Sequence, residues 1–134
     1  MRIARKVRIG RQDGQAMVEM ALILPILLMI ILGIVQFGIA FNNYITLTDA
    51  TRAGARKASV ARFTGDNGTA AAAVVKSNAS SLNQSDLTVT VTATNWSIPG
   101  SDVTVTATYP YSINLLGWTV NSGTLTSTTK ERLE

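Results

Sequence analysis

The chain has 134 residues, with 12 Lys or Arg against 8 Asp or Glu and neither histidine nor cysteine. This composition removes disulfide frameworks, thiolate metal sites and the imidazole that most often serves as general base or metal ligand, so no cofactor is implied and metal-dependent or nucleophilic catalysis is not expected. The formal charge of +4 is not laid out as a basic stripe interleaved with aromatics, so nucleic acid is not an expected partner.

The amino-terminal segment sets Arg2, Arg5, Lys6, Arg8 and Arg11 against a single acid, Asp13. Behind it, Met20 to Phe41 (MALILPILLMIILGIVQFGIAF) is a run of 22 residues without a formal charge. At 1.5 Å rise per residue that is about 33 Å of helix, enough for a bilayer core about 30 Å thick. The rest of the chain is too short and too threonine-rich to bury so much aliphatic surface as a soluble core. A cleavable secretory signal would have an apolar core of roughly 7–15 residues closely followed by a small-x-small site. Here the run is longer and Ala53-Gly54-Ala55 lies well past its end, so the segment is expected to stay on the mature protein. The basic residues ahead of it place the amino terminus in the cytoplasm and everything after Phe41 outside, although Arg52, Arg56, Lys57 and Arg62 lie beyond the span.

Within the span, Pro25 lacks an amide proton and would clash with the carbonyl of Ala21, which predicts a bend or local opening. Gly33 and Gly38 lower helix propensity but let neighbouring helices approach closely. Gln36 has two readings, a hydrogen bond to a neighbouring helix or a polar group reaching for the outer interface. Glu19, at the cytoplasmic edge, is costly there without a partner. If the chain were cut between Gly14 and Gln15, the new amino group would lie one helical turn from Glu19. In a bundle of staggered copies, the amine of one subunit could then neutralise the carboxylate of the next.

The helical pattern continues beyond the membrane, with no proline between Asn42 and Arg62, and predicts one helix from about Asp13 to Arg62. Ala50, Gly54, Ala58 and Ala61 recur at three- or four-residue spacing. This small-residue stripe suits close packing against the protein's own outer domain or another subunit, and equally suits a plain alanine-rich helix. Asp49 and Arg52 are placed for a solvated ion pair.

Phe63 to Gly68 is a turn-rich break, and Thr69 to about Ser80 reads as a short helix. In DLTVTVTATNW and SDVTVTATYPY, Leu87, Val89, Val91 and Ala93, then Val103, Val105, Ala107 and Tyr109, alternate with polar residues, as in strands that bury one face. The loop from Asn95 to Ser101 contains Pro99-Gly100 as its turn. Pro110 is expected to end the second strand because it cannot donate to a ladder. A third strand is expected at about Thr124 to Lys130, with the linker from Tyr111 to Gly123 covering the sheet or facing a partner through Leu115, Leu116 and Trp118. Trp96 and Trp118 are read as core cover in so small a domain.

The resulting fold class is α+β: a long transmembrane helix that continues as a stalk, carrying a small head of one short helix and an antiparallel sheet. The boundaries are a basic leader at 1–14, a long helix at 15–62 spanning the membrane at about 20–41, and a head at 63–134.

The string Gly14-Gln15-Ala16-Met17-Val18-Glu19 resembles the processing motif of type IV prepilins. Together with Pro25, the stretch Leu32-Gly33-Ile34-Val35-Gln36-Phe37-Gly38 and the segment Ala50-Thr51-Arg52-Ala53-Gly54-Ala55-Arg56, the first 60 or so residues resemble the TadE-like family of the tight adherence (Tad, or Flp) pilus system. Met20 stands where many relatives have an aromatic and Gln36 where many have an acid. The resemblance implies a type IV pilin-like lollipop anchored in the bacterial inner membrane and no enzyme activity. It implies a minor pilin or pseudopilin, cut by a prepilin peptidase and passed to a pilus assembly platform and other pilin subunits. The competing reading is an uncleaved single-pass adaptor of a secretion or assembly machine. An enzyme would need a cleft where acids such as Asp66, Asp86 and Asp102 converge, and the sequence places each at a turn or strand start.

Overall fold

The computed structural model describes residues 11–115 and 117–134, so most of the basic leader and Leu116 lie outside the described residues. The elements in chain order are α1 (Arg11–Ser59), α2 (Ala61–Thr64), α3 (Thr69–Asn78), β1 (Thr88–Ala93), β2 (Asp102–Leu115) and β3 (Trp118–Arg132). The architecture is α+β: a long amino-terminal apolar helix, then a short helix and a three-stranded antiparallel sheet, laid out as a lollipop.

Helix α1 contains 49 residues, about 74 Å at the standard rise. It passes through Pro25 without interruption. The missing amide costs one bond, and the bonds on either side keep the helix continuous. The helix was expected to reach Arg62 but breaks at Val60, which leaves helical geometry at φ −101°, ψ 5°. One more turn, α2, ends at Gly65, whose φ of +66° suits a residue without a Cβ and whose N–H donates to the Ala61 carbonyl. Asp66 shapes the next turn by accepting from Gly68 N at 2.9 Å, and α3 begins at Thr69.

The sheet order is β1-β2-β3. The β1–β2 ladder runs from Thr88↔Thr108 to Ala93↔Val103, and β2–β3 from Asp102↔Arg132 to Leu115↔Trp118. Two sequence expectations fail here. Strand β2 does not stop at Pro110, which pairs with Thr124, but runs on to Leu115. The pairing with β1 ends at Thr108, so the flank of β2 at Pro110 has no strand beside it, and a missing donor facing that edge breaks no ladder bond. In the same way, β3 starts at Trp118 rather than near Thr124, so the expected linker is the distal half of a hairpin whose turn holds Gly117. Gly117 in that turn has φ +89°, which only a glycine adopts without strain.

Helices α1 and α3 pack together against one face of the sheet, α1 on β2 and β3 and α3 on β1. The core joins Leu47, Ala50, Ala55 and Ala58 of α1 to Ala71 and Val75 of α3 and to Val103, Val105 and Ala107 of β2. Leu47, Val75, Val103 and Val105 are fully buried, and burial of each such side chain contributes about 1.5–3 kcal/mol. The threonines that alternate with the β2 valines are only half-buried on the other face. At the far end, Leu133 is buried and its N–H donates to Ser101, while Glu134 N donates to the Ser59 carbonyl, which ties the last strand to the end of α1.

Candidate functional site

The amino-terminal part of α1 stands free of the head. Every residue from Gly14 to Ile31 is exposed. An added Cβ at Gly14 would meet nothing within 4 Å, so the scissile position proposed from the sequence is open on the helix surface. One turn on, the Gln15 Nε2 donates to Glu19 Oε1 at 3.1 Å. That bond orients the carboxylate but brings no positive charge, so a charge partner for Glu19 must be supplied from outside this hydrogen bond. The stretch Gly14–Ser59 is long and apolar enough to cross a membrane, and no residue of its apolar window is buried. Such a surface, unlike that of a core helix, calls for membrane anchoring.

Gly33 and Gly38 have open space around them. Gln36 is more specific: its Nε2 donates to the Asn114 carbonyl near the tip of the β2–β3 hairpin, at 3.3 Å. Neither of the sequence readings for Gln36 anticipated a partner in the chain's own head, 78 positions away. Between α1 and the distal hairpin lies an open groove of about 540 Å³, lined on the helix by Phe37, Phe41 and Tyr44 and on the sheet by Tyr111, Ile113 and Leu125. Phe37 and Phe41 stack with ring centroids 6.4 Å apart.

Farther along, Ala50, Gly54 and Ala58 are buried under the head. Gly54 marks the closest approach: a Cβ there would land on Val75 Cγ2 and 3.2 Å from the Ala71 carbonyl oxygen. Thr51, buried beside it, satisfies its hydroxyl by donating to the Leu47 carbonyl at 2.6 Å. The Asp49–Arg52 pair is formed at 3.7 Å with both side chains in solvent, where such pairs contribute little.

The two tryptophans part company. Trp96 packs against the core as cover, but Trp118 is 82 % exposed, contrary to its reading as core cover. The hairpin carries it past the end of the core to a position opposite Leu115 at the tip.

Among the described residues, no group of three or more His, Cys, Asp or Glu comes together. Asp66 serves its own turn, and Asp86 accepts from Asn83 Nδ2 at 2.7 Å. Asp102 pairs with Lys130 across the β2–β3 ladder at 2.9 Å, with Arg132 at 4.0 Å. The hydrogen bond from Lys130 holds the Asp102 carboxyl below its ordinary value, opposed by desolvation and helped by the charges of Lys130 and Arg132.

Set beside known proteins, this uncovered helix has a counterpart. Residues 14–56 match the TadE-like protein family. The match begins at the glycine before Gln15, takes in Glu19 and the whole apolar run, and ends within the small-residue stripe that carries the head. The TadE-like resemblance read from the sequence is therefore borne out for the helix. No curated protein and no solved structure matches the chain.

Proposed function

We infer that this chain is a minor pilin or pseudopilin of a Tad-type pilus, held in the inner membrane by α1 with its head outside. A prepilin peptidase cuts it between Gly14 and Gln15. The freed amine of Gln15 in one copy then pairs with Glu19 of the next, and the assembly platform draws the uncovered helix from lipid into a bundle with other pilin subunits. The observation that carries this reading is the meeting of two features near the start of α1. The family match begins at Gly14, and Glu19 lies one turn after Gln15, already within hydrogen-bond reach of it.

The chemistry fits the geometry. An uncompensated carboxylate next to hydrocarbon is costly, and an ammonium from a staggered neighbour removes two charges from an apolar surrounding at once. Gly33 and Gly38 leave open helix surface where another helix can approach. Pro25 adds a missing backbone bond to the part of α1 that would have to adapt to such packing.

The intact mass of a carboxy-terminally tagged chain, purified from native membranes, tests the reading. A chain that starts at Gln15 is the expected result. A chain that keeps Met1 or Arg2 removes the pilin mechanism and leaves an uncleaved membrane adaptor in its place.

A further inference from the structure

Helix α1 has two surfaces along its apolar run. Up to Ile31 every residue is exposed, whereas beyond it exposed residues alternate with half-buried ones, of which Gln36 and Ala40 lie against the head. The bare, uncharged part, Met20 to Ile31, is therefore 12 residues, or about 18 Å. That is short of a hydrocarbon core of about 30 Å. To make up the difference at the cytoplasmic end, the bilayer would have to swallow Glu19. At the other end it need only include helix residues beyond Leu32, which lie beside the β2–β3 hairpin.

The hairpin is built for that position. It reaches the level of Gln36, where the Asn114 carbonyl accepts its amide. No residue from Val103 to Thr129 carries a formal charge, so no ion has to be desolvated as the tip approaches lipid. Trp118 is 82 % and Val120 64 % exposed, the latter in the register shift where β3 has one residue more than β2. Indole is the side chain most at home in the headgroup zone, with an apolar ring and one polar N–H. Asn114, Thr119 and the unpaired ribbon edges keep the tip out of the hydrocarbon centre, where open strand edges do not survive.

We propose that the tip of the β2–β3 hairpin is a second membrane contact, seating Trp118 and Val120 in the headgroup zone of the outer leaflet beside α1. The bilayer thins locally to meet it, as bilayers do around a short hydrophobic stretch. The head thus leans on the lipid that surrounds its own anchor, and leaving the membrane for a filament requires the tip to be withdrawn. This contact rests on the membrane-anchored reading of α1, but on neither cleavage nor filament entry.

The test uses the full chain in phosphatidylcholine–phosphatidylglycerol vesicles that carry a nitroxide either high or low on the acyl chain. The Trp96→Phe variant leaves Trp118 as the only indole, and Trp118→Phe leaves Trp96. The expected result is blue-shifted Trp118 emission, most of which is lost to the shallow nitroxide and less to the deep one, with Trp96 unquenched by either. Emission from Trp118 at the position of indole in water, in protein that floats with the vesicles, overturns the contact and leaves the anchor standing. A blue shift without lipid quenching also overturns it, because the tip is then covered by a second copy of the chain. Protein that does not float with the vesicles sinks anchor and contact together.

Discussion

At the scale of single residues, Glu19 is the position where charge decides the outcome. Its side chain is solvent-facing and accepts from Gln15, a bond that an uncharged glutamine could replace in shape. Glu19→Ala should insert into the membrane as the wild type does and be lost from sheared filaments. Glu19→Gln separates the causes: if pairing with a neighbour's amine drives assembly, it fails as Ala does, and if a hydrogen bond suffices, it assembles. Flotation of membranes and immunodetection in the sheared fraction read both steps. This part of the molecule was legible in the sequence because its signal is local, a glycine and a glutamate at fixed spacing before an apolar run. Gln36 shows the opposite case. Its identity as a polar intruder was plain, but its acceptor is a backbone carbonyl 78 positions on, and no spacing rule connects a helix residue to a hairpin tip.

At the scale of elements, the long uncharged run marked the long helix, the turn-rich break before Thr69 marked the short one, and alternation every 2 residues found both valine–threonine strands, because each buries one face. Pattern alone misjudged the hairpin. A strand end at Pro110 follows only if β2 is flanked on both sides along its length, whereas β1 ends its pairing at Thr108 and frees that edge. The turn that holds Gly117 lacks the Asn-Gly or Asp-Gly signature that marks most tight hairpins, and the distal half of β2 only half-buries one face while that of β3 is exposed throughout, so the pattern weakens where the core stops. The near end of the same hairpin is clamped by Asp102, Lys130 and Arg132. Because the folded-state pKa of Asp102 is lowered, its ionised form is bound more favourably in the folded chain. The gain is present above the ordinary carboxylate range and is lost as pH falls through the lowered value. The wild-type head should therefore lose thermal stability on acidification into that range, and Asp102→Asn should flatten this part of the dependence. Since the group lies in solvent, the flattening will be small. Melting curves of the two proteins in the same detergent at neutral and acid pH measure it, and parallel acid losses would remove Asp102 as a contributor.

At the scale of the whole molecule, one long helix has to serve two surroundings. Its first half offers lipid or neighbouring subunits an uncovered aliphatic surface, and its second half is the back wall of the head's core. The transition is set by side-chain size: bulky Leu, Ile and Met give way to Ala50, Gly54, Ala55 and Ala58, which let α3 and the sheet come close. The sequence displayed this stripe but left its partner open between the chain's own head and another subunit, since smallness says how near a neighbour can come and not which one. Gly54 gives the sharpest test of that division. With its Cβ position already occupied by Val75 Cγ2 and bounded by the Ala71 carbonyl, Gly54→Ala forces α3 outward. Overpacking of this kind costs about 1–3 kcal/mol, and 1 kcal/mol shifts the melting temperature of a 60–100-residue domain by roughly 4–8 °C. Gly54→Val, with two more methyl groups, should free the head from α1 and expose the turn around Gly65–Gly68 to protease, while leaving membrane insertion intact because the anchor lies upstream. Arg56→Ala, exposed on the same helix, should stay within about 0.5 kcal/mol of wild type. Limited proteolysis and melting of membrane-extracted protein distinguish the cases. A Gly54→Val chain as resistant as wild type would mean that head and helix are not held together through this stripe.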